Sequence, residues 1–262
     1  MLIDTGKLRL NVLDEGPRGA PAVLMSHSLA ASVEMWEPQA AALRDEFRVL
    51  RYDTRGHGAS EAPDGAYSLP MLCADVIALL DALAIERVHF VGLSLGGMTA
   101  MGLALEHRTR LASITAACCT AQTPEAGVAL WDERIAVARA QGMTALVEAT
   151  LGRWFTPAML DTRTAEIAAV RRMILNTPVT GYIGCCEALK GLAYRDHLQS
   201  VEVPALFIAG REDAAVPLAA MQDMHGRVAG SRYVELPGAH LANLECAAAF
   251  NAALLEFLRA QD

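Results

Sequence analysis

Features that would direct a chain to a membrane or to nucleic acid are missing from this sequence. No run of about 18 apolar residues occurs, so no membrane-spanning helix is expected. Residues 1–6 contain neither a basic region nor a long apolar stretch, and we therefore expect no signal peptide and a soluble, cytoplasmic protein. Clusters of Lys and Arg are absent, and the formal net charge is −8. Nucleic acid is not an expected partner, because its phosphates would be repelled.

The six cysteines lack the spacing of a metal site. No Cys-x-x-Cys pair is present, and no cysteines and histidines are spaced as zinc ligands are, so no metal is expected. Cys118 and Cys119 are adjacent, and adjacent cysteines make poor structural disulfides. We therefore expect buried free thiols.

What the sequence does contain is a regular alternation of strand and helix patterns. The 262 residues are 53% hydrophobic and 20% charged, which suits one large α/β domain. Apolar and polar residues alternate over 8–13, which predicts an edge strand. Short apolar runs predict buried strands at 22–26, 49–52, 88–93, 111–117, 205–209 and 233–236. Helices are predicted at 36–43, 69–83, 218–224 and 247–258, so a mostly parallel sheet covered on both faces is expected.

The stretch 122–197 interrupts this alternation. It contains Trp131, Trp154 and several helical segments, but no clear strand. We interpret it as a helical cap, inserted into a core domain that comprises residues 1–121 and 198–262.

The most informative motif is Gly-x-Ser-x-Gly at residues 92–96. An apolar strand pattern precedes it and small helix-forming residues follow it, as in a nucleophile elbow, where a strained turn exposes a serine hydroxyl. Gly92 and Gly96 would allow strand and helix to pack closely around Ser94. The alternative is a glycine-rich turn with a bystander serine. The strand before it and the helix after it favour Ser94 as a catalytic nucleophile.

A serine nucleophile needs a histidine as its base and an acid that orients the histidine. After a nucleophile elbow the acid comes first along the chain and the histidine second. His240 lies in a tight loop directly after the last predicted strand, and we predict that it is the general base rather than a surface histidine. Asp213 follows the penultimate predicted strand and is the predicted acid. Glu212 is the alternative, because a one-residue error in the strand end would turn it inward.

The oxyanion formed by attack on a carbonyl needs two N–H donors. Leu95 N–H, immediately after the nucleophile, is one candidate. The other is Leu29 N–H, in the loop after the strand predicted at 22–26, with Ser28 as the alternative. His27 is expected to pack and hydrogen-bond beneath this loop rather than to act in catalysis.

With these residues placed, the chain resembles the α/β-hydrolase family from end to end. Residues 53–60, Asp-Thr-Arg-Gly-His-Gly-Ala-Ser, match a turn motif of that family in which the glycines and Arg55 are structural and His57 is no catalyst. Within the family the chain is most similar to 3-oxoadipate enol-lactonases. The segments that resemble this subgroup are Met35-Trp36, 50–58, Gly142-Met143, Arg153-Trp154-Phe155-Thr156 and Gly181-Tyr182.

The resemblance implies an eight-stranded, mostly parallel sheet with helices on both faces and an inserted helical cap. It also implies a small-molecule ester or lactone as the substrate, namely an enol-lactone with a free carboxylate from aromatic-acid breakdown, and neither a metal nor an organic cofactor.

Three residues carry the expectation about the substrate. Arg134 matches a cap arginine that would face the substrate carboxylate, although it could instead be a surface residue paired with Glu133 or Asp132. Trp154 and Ser28 would line the substrate pocket.

The loop at 27–30 departs from the subgroup. It reads His-Ser-Leu-Ala where Asn-Ser-Leu-Gly is common. This change leaves a broader carboxylesterase or an N-acyl-homoserine lactone hydrolase open as alternatives. A cofactor-free haloperoxidase and a non-enzymatic small-molecule receptor are further alternatives on the same fold.

Overall fold

The computed structural model describes residues 1–261 and contains one eight-stranded sheet. Its strands are β1 (Leu2–Asp4), β2 (Arg9–Glu15), β3 (Ala22–Ser26), β4 (Arg48–Tyr52), β5 (Val88–Leu93), β6 (Leu111–Ala117), β7 (Ala205–Gly210) and β8 (Arg232–Leu236). They lie in the order β1-β2-β4-β3-β5-β6-β7-β8. Strands β3 to β8 are mutually parallel, and β1 and β2 are antiparallel to their neighbours. The predicted fold class is confirmed.

The predicted edge strand at 8–13 is not at the edge. This segment forms β2, which pairs with β4 on one side and with the short β1 on the other. The prediction was wrong because the true edge strand, β1, was not recognised. It has only three residues, too few to show a two-residue periodicity. The alternation of burial along β2 is nevertheless present, since only part of the antiparallel end of the sheet is covered.

Within residues 1–261, eleven α-helices accompany the sheet. They are α1 (Glu37–Leu43), α2 (Leu69–Ala82), α3 (Leu95–Glu106), α4 (Glu125–Gln141), α5 (Val147–Trp154), α6 (Pro157–Thr162), α7 (Thr164–Asn176), α8 (Val179–Lys190), α9 (Leu218–Arg227), α10 (Ala242–Glu245) and α11 (Ala247–Arg259). Four short 3₁₀ turns occur at Val33–Trp36, Arg108–Arg110, Met143–Leu146 and Arg195–Ser200. The sheet is therefore covered by helices on both faces, as parallel strands require.

Two of these helices show how the local sequence determines the packing. Ser68 accepts a hydrogen bond from Met71 N–H at 3.3 Å and so caps α2, which then buries an apolar face against the sheet. Helix α3 is buried along almost its whole length and packs on β5 and β6. Its first turn contains Gly96 and Gly97, where a side chain would collide with Ser26 at the end of β3 and with Cys119 just after β6.

Helices α4 to α8 occupy the chain between β6 and β7. Within the described chain this stretch holds no strand, and a single isolated bridge between Gln122 and Ala193 closes its base. These helices stand where the cap is predicted, and the domain boundaries themselves stay a prediction. The cysteines match their predicted state: all six are free thiols, five of them buried and Cys246 half-buried.

The sheet brings the predicted site residues to one edge. The loops after β3, β5, β7 and β8 carry Ser28, Ser94, Asp213 and His240 respectively, and all four strands are parallel. The carboxyl ends of parallel strands share one edge of the sheet, where α/β proteins place their ligands. No helix among residues 1–261 combines the length and apolar character needed to cross a bilayer.

Candidate active site

Ser94 occupies a strained turn between β5 and α3. Its φ of 56° and ψ of −114° lie in a region that residues with side chains rarely adopt. The turn is possible because two glycines flank it. A Cβ on Gly92 would stand 2.0 Å from Gly96 O, and a Cβ on Gly96 would stand 2.1 Å from Ser26 O. Ser94 N–H donates to Ala117 O at 2.9 Å and fixes the turn to the next strand.

His240 and Asp213 are hydrogen-bonded to each other. His240 Nδ1 lies 2.8 Å from Asp213 Oδ2, and the two side chains are 3% and 2% exposed. The second oxygen of Asp213 accepts the N–H groups of Ala215 at 2.7 Å and Val216 at 2.9 Å, which fixes the carboxylate plane. Glu212, the alternative acid, is exposed to solvent. The geometry therefore favours Asp213 as the partner of His240.

Ser94 and His240 line the same cavity, which has a volume of about 620 Å³. In this conformation the Ser94 hydroxyl makes no hydrogen bond to the His240 ring among residues 1–261, a common situation before a substrate binds. Trp154, at the end of α5, lies over His240 with ring centroids 6.2 Å apart and planes inclined by 28°. It forms the predicted apolar wall of the cavity.

The loop after β3 leaves one backbone donor unused. Ser28 N–H donates to the Met35 sulfur at 3.4 Å, and Ala30 N–H donates to His57 Nε2 at 2.9 Å. Leu29 N–H, between them, has no acceptor in the described part of the chain. The predicted alternative donor, Ser28, is therefore occupied, and Leu29 remains.

Leu95 N–H is the second unused donor. It begins α3, where the first N–H groups of a helix have no acceptor within the helix. No loop acceptor within 1–261 replaces one. The dipole of α3 also directs positive potential towards Ser94. Leu29, which lines the cavity, and Leu95, which follows Ser94, thus each have an N–H group without an acceptor in the described chain.

Two histidines beneath this loop are fully buried. His27 Nε2 accepts from Thr54 N–H at 2.9 Å, and its Nδ1 donates to Ser28 O at 2.7 Å. His57 Nδ1 lies 3.2 Å from Arg55 O. Burial lowers the pKa of His27 to about 4 and the pKa of His57 to about 3. Both rings are therefore neutral at pH 7 and hold the loop through hydrogen bonds, as predicted for His27.

Arg134 faces the cavity from α4. Its guanidinium lies 4.5 Å from the centre of the Trp131 ring, which makes a cation–π contact. The alternative pairing with Asp132 or Glu133 is not formed, and Asp132 instead binds Lys190 at 2.6 Å. No carboxylate lies within 4.0 Å of the Arg134 guanidinium in the described residues.

Arg153 is a cavity residue that the sequence did not single out. It is half-buried at the end of α5, and its only polar contact among residues 1–261 is a donation to Thr150 Oγ1 at 3.3 Å. Burial lowers its pKa, and the positive charge of Arg134 lowers it further. By contrast Arg195, which also lines the cavity, is paired with Asp223 at 2.8 Å. Arg153 immediately precedes Trp154, but a helical arginine has no sequence signal that distinguishes a cavity position from a surface position.

Two further polar groups line the cavity. The Ser28 hydroxyl is buried and has no hydrogen-bond partner among residues 1–261, and the Tyr182 side chain is buried beside Cys186. In the part of the chain that the structure describes, no three His, Cys, Asp or Glu side chains converge as metal ligands would.

Comparison with known proteins agrees with this architecture. A family model described as the alpha/beta hydrolase fold matches residues 21–246. The 3-oxoadipate enol-lactonase 2 of Acinetobacter baylyi is 36% identical over 245 residues, which are 94% of this chain and 91% of that protein. The crystal structure of the enol-lactonase from Burkholderia xenovorans superposes with a TM-score of 0.96 at 38% identity, covering 99% of this chain and 100% of that one.

A third relative is a thermophilic esterase from Thermogutta terrifontis, solved with malate bound. It superposes with a TM-score of 0.93 at 26% identity, covering 100% of this chain and 98% of that one. Agreement over nearly the whole length, in sequence as well as in backbone, confirms the resemblance drawn from the motifs. The chain belongs to the α/β-hydrolase family, and within that family it is similar to the 3-oxoadipate enol-lactonases.

Proposed function

We propose that this protein is a serine hydrolase that opens a lactone carrying a free carboxylate, with 3-oxoadipate enol-lactone of aromatic catabolism as the substrate. One observation carries the proposal. A single cavity contains the Ser94 hydroxyl, the His240 ring bound to Asp213, and two arginines without a carboxylate partner in the described chain. The relatedness to enol-lactonases supports the same substrate class.

The first half of the reaction forms an acyl-enzyme. His240 takes the proton of the Ser94 hydroxyl as its oxygen attacks the lactone carbonyl. Negative charge develops on the carbonyl oxygen, and the free N–H groups of Leu29 and Leu95 stabilise it. The bond between the carbonyl carbon and the ring oxygen then breaks. The ring oxygen receives the proton from His240 and becomes an enol hydroxyl, which stays attached to the acyl-enzyme through the carbon chain.

The second half releases the acid. His240, neutral again, takes a proton from a water molecule that attacks the acyl carbon, and the tetrahedral intermediate expels Ser94, which recovers its proton from His240. Asp213 keeps the His240 tautomer with hydrogen on Nδ1 and stabilises the imidazolium that forms in each half.

The arginines supply the selectivity. Arg134 and Arg153 are cationic residues in a largely apolar cavity, in a protein whose formal net charge is −8, and unlike Arg195 they are not paired with an aspartate in the described chain. Neither guanidinium has a carboxylate within 4.0 Å among residues 1–261. Two like charges placed close together in a partly buried site favour an anionic ligand between them. Trp154 and Ser28 complete the proposed substrate pocket beside the reacting carbonyl.

A substrate panel tests the proposal. We expect kcat/KM to be highest for 3-oxoadipate enol-lactone, and lower for N-acyl-homoserine lactones and neutral short-chain esters. Arg134→Ala should lower kcat/KM for the carboxylated lactone alone, whereas Arg139→Ala, an exposed arginine on the same helix, should leave every substrate unchanged.

Other outcomes point to the alternatives. Equal rates on all esters would indicate a broad carboxylesterase, and preference for acyl chains would indicate an acyl-homoserine lactone hydrolase. Peroxide-dependent halogenation without lactone hydrolysis would indicate a haloperoxidase. Ligand-induced thermal stabilisation without turnover would indicate a receptor. A cytoplasmic location stays a prediction, supported by the free thiol state of the cysteines.

A further inference from the structure

The loop that carries His240 is fastened on both sides of the histidine. On one side Ala239 N–H donates to Glu245 Oε2 at 2.9 Å. On the other side Leu241 N–H donates to Trp154 O, in the cap, at 3.1 Å. The two bonds leave the His240 backbone little freedom to shift, because its immediate neighbours are both held.

Glu245 also reaches the cap. Its second oxygen, Oε1, accepts both the hydroxyl of Thr156 and the Thr156 N–H, the latter at 3.4 Å. The Thr156 hydroxyl in turn accepts from Met159 N–H at 3.3 Å and caps α6. The Glu245 carboxylate therefore links Ala239, the residue before His240, to Thr156 in the cap. Thr156 lies two residues after Trp154, whose ring lies over His240.

The partners of Glu245 show why a carboxylate stands here. All three groups that it binds are donors, and none of them is a charged side chain. No Lys, Arg or His nitrogen lies within 4.0 Å of this carboxylate in the described chain. A carboxylate can accept on both oxygens, whereas glutamine has one acceptor and one donor group. With the glutamine oxygen on Ala239 N–H, its NH2 group would face Thr156 N–H, so glutamine cannot accept from the N–H groups on both sides.

We propose that Glu245 is a positioning residue for the general base. It fixes the His240 loop relative to Ser94 and makes the cap segment 154–156 part of the same support. The proposal rests on the proposed function, in which His240 is the base. It assigns to the cap a second task besides substrate selection: holding the catalytic histidine in place.

Glu245→Gln is the main test, with Glu245→Ala beside it. Two readouts are used: hydrolysis of p-nitrophenyl acetate, and the rate at which a fluorophosphonate labels Ser94, which requires the base but no substrate carboxylate. We expect kcat and the labelling rate to fall about 10- to 100-fold, with KM within about twofold of wild type. Glu61→Gln is the matched control. Glu61 also accepts from a backbone N–H and from a side chain, both belonging to Arg9, but it does not line the cavity.

Thr156 provides a second, milder pair. Thr156→Ser keeps the hydroxyl and should retain the wild-type labelling rate, whereas Thr156→Val removes it and should slow labelling. This pair decides the question if the Glu245 variants fail to fold.

Several outcomes would overturn the assignment. They are a wild-type labelling rate in Glu245→Gln, a loss confined to KM, or equal rates in Thr156→Ser and Thr156→Val. If the wild-type protein itself were not labelled, the serine mechanism would be wrong rather than the role of Glu245.

Discussion

The floor and the roof of the cavity leave different groups unpaired. In the floor, formed by the loop after β3 and the turn at Ser94, buried histidines and backbone atoms satisfy their neighbours, and the N–H groups of Leu29 and Leu95 have no acceptor among residues 1–261. In the roof, formed by the cap, two whole guanidinium groups lack a carboxylate among residues 1–261. In the proposed function, the floor stabilises charge that develops during the reaction, and the roof binds charge that the substrate carries.

The largest expected effect tests the floor. Ser94→Ala should lower kcat/KM by about 10⁵- to 10⁶-fold for charged and neutral substrates alike, because the nucleophile serves every substrate. Steady-state hydrolysis of 3-oxoadipate enol-lactone and p-nitrophenyl acetate measures it. Ser200→Ala, on an exposed turn, is the control and should match wild type. Substantial turnover in Ser94→Ala would contradict the proposed mechanism.

The second prediction concerns the buried histidines of the floor. Unfolded histidine binds a proton near pH 6.5, whereas His27 in the folded protein has a pKa of about 4, so acid favours the unfolded chain between these values. The free energy of unfolding should therefore fall as the pH drops from 6.5 towards 4, by about 3 kcal/mol in total for His27. Denaturant unfolding at several pH values measures this slope.

Variants separate the histidines from other titrating groups. His27→Gln and His57→Gln should each reduce the change of the unfolding free energy between pH 6 and pH 5. In this range each ring stays neutral in the folded protein and binds a proton on unfolding, because both native pKa values lie below it. His197→Gln, on the surface, should leave it unchanged. A slope that stays the same in all three variants would contradict neutral, buried rings.

The third prediction tests the roof. Arg153→Ala and Arg134→Ala should each lower kcat/KM for the carboxylated lactone about 10- to 100-fold, the usual worth of a hydrogen bond to a charged group, and leave p-nitrophenyl acetate nearly unaffected. Parallel kinetics on both substrates measure the ratio. Equal losses on both substrates would mean that the arginines support the fold instead.

Sequence alone predicted the floor better than the roof. The positions of the parallel strands, the elbow at Ser94 and the contact between Asp213 and His240 follow from local patterns, because each of these three residues lies directly after an apolar strand. Arg153 and Glu245 do not, since their roles depend on which distant segments they meet. The Leu29 N–H is an intermediate case. The sequence predicted its loop, but only the structure shows that the N–H groups of Ser28 and Ala30 on either side are already bound.

The smallest expected effect concerns an exception within the floor. The Ser28 hydroxyl is buried against the cavity without a hydrogen-bond partner in the described chain, which costs stability unless a ligand binds it. Ser28→Ala should therefore leave the melting temperature unchanged or raise it, while KM rises about 3- to 10-fold. Thr115→Val is a matched control, because Thr115 Oγ1 is also buried and unpartnered but lies in β6, outside the cavity lining. It should affect neither KM nor kcat. An unchanged KM in Ser28→Ala would place Ser28 outside the substrate site and leave the Ser94 hydroxyl and the N–H groups of Leu29 and Leu95 as the polar contacts of the floor with a ligand.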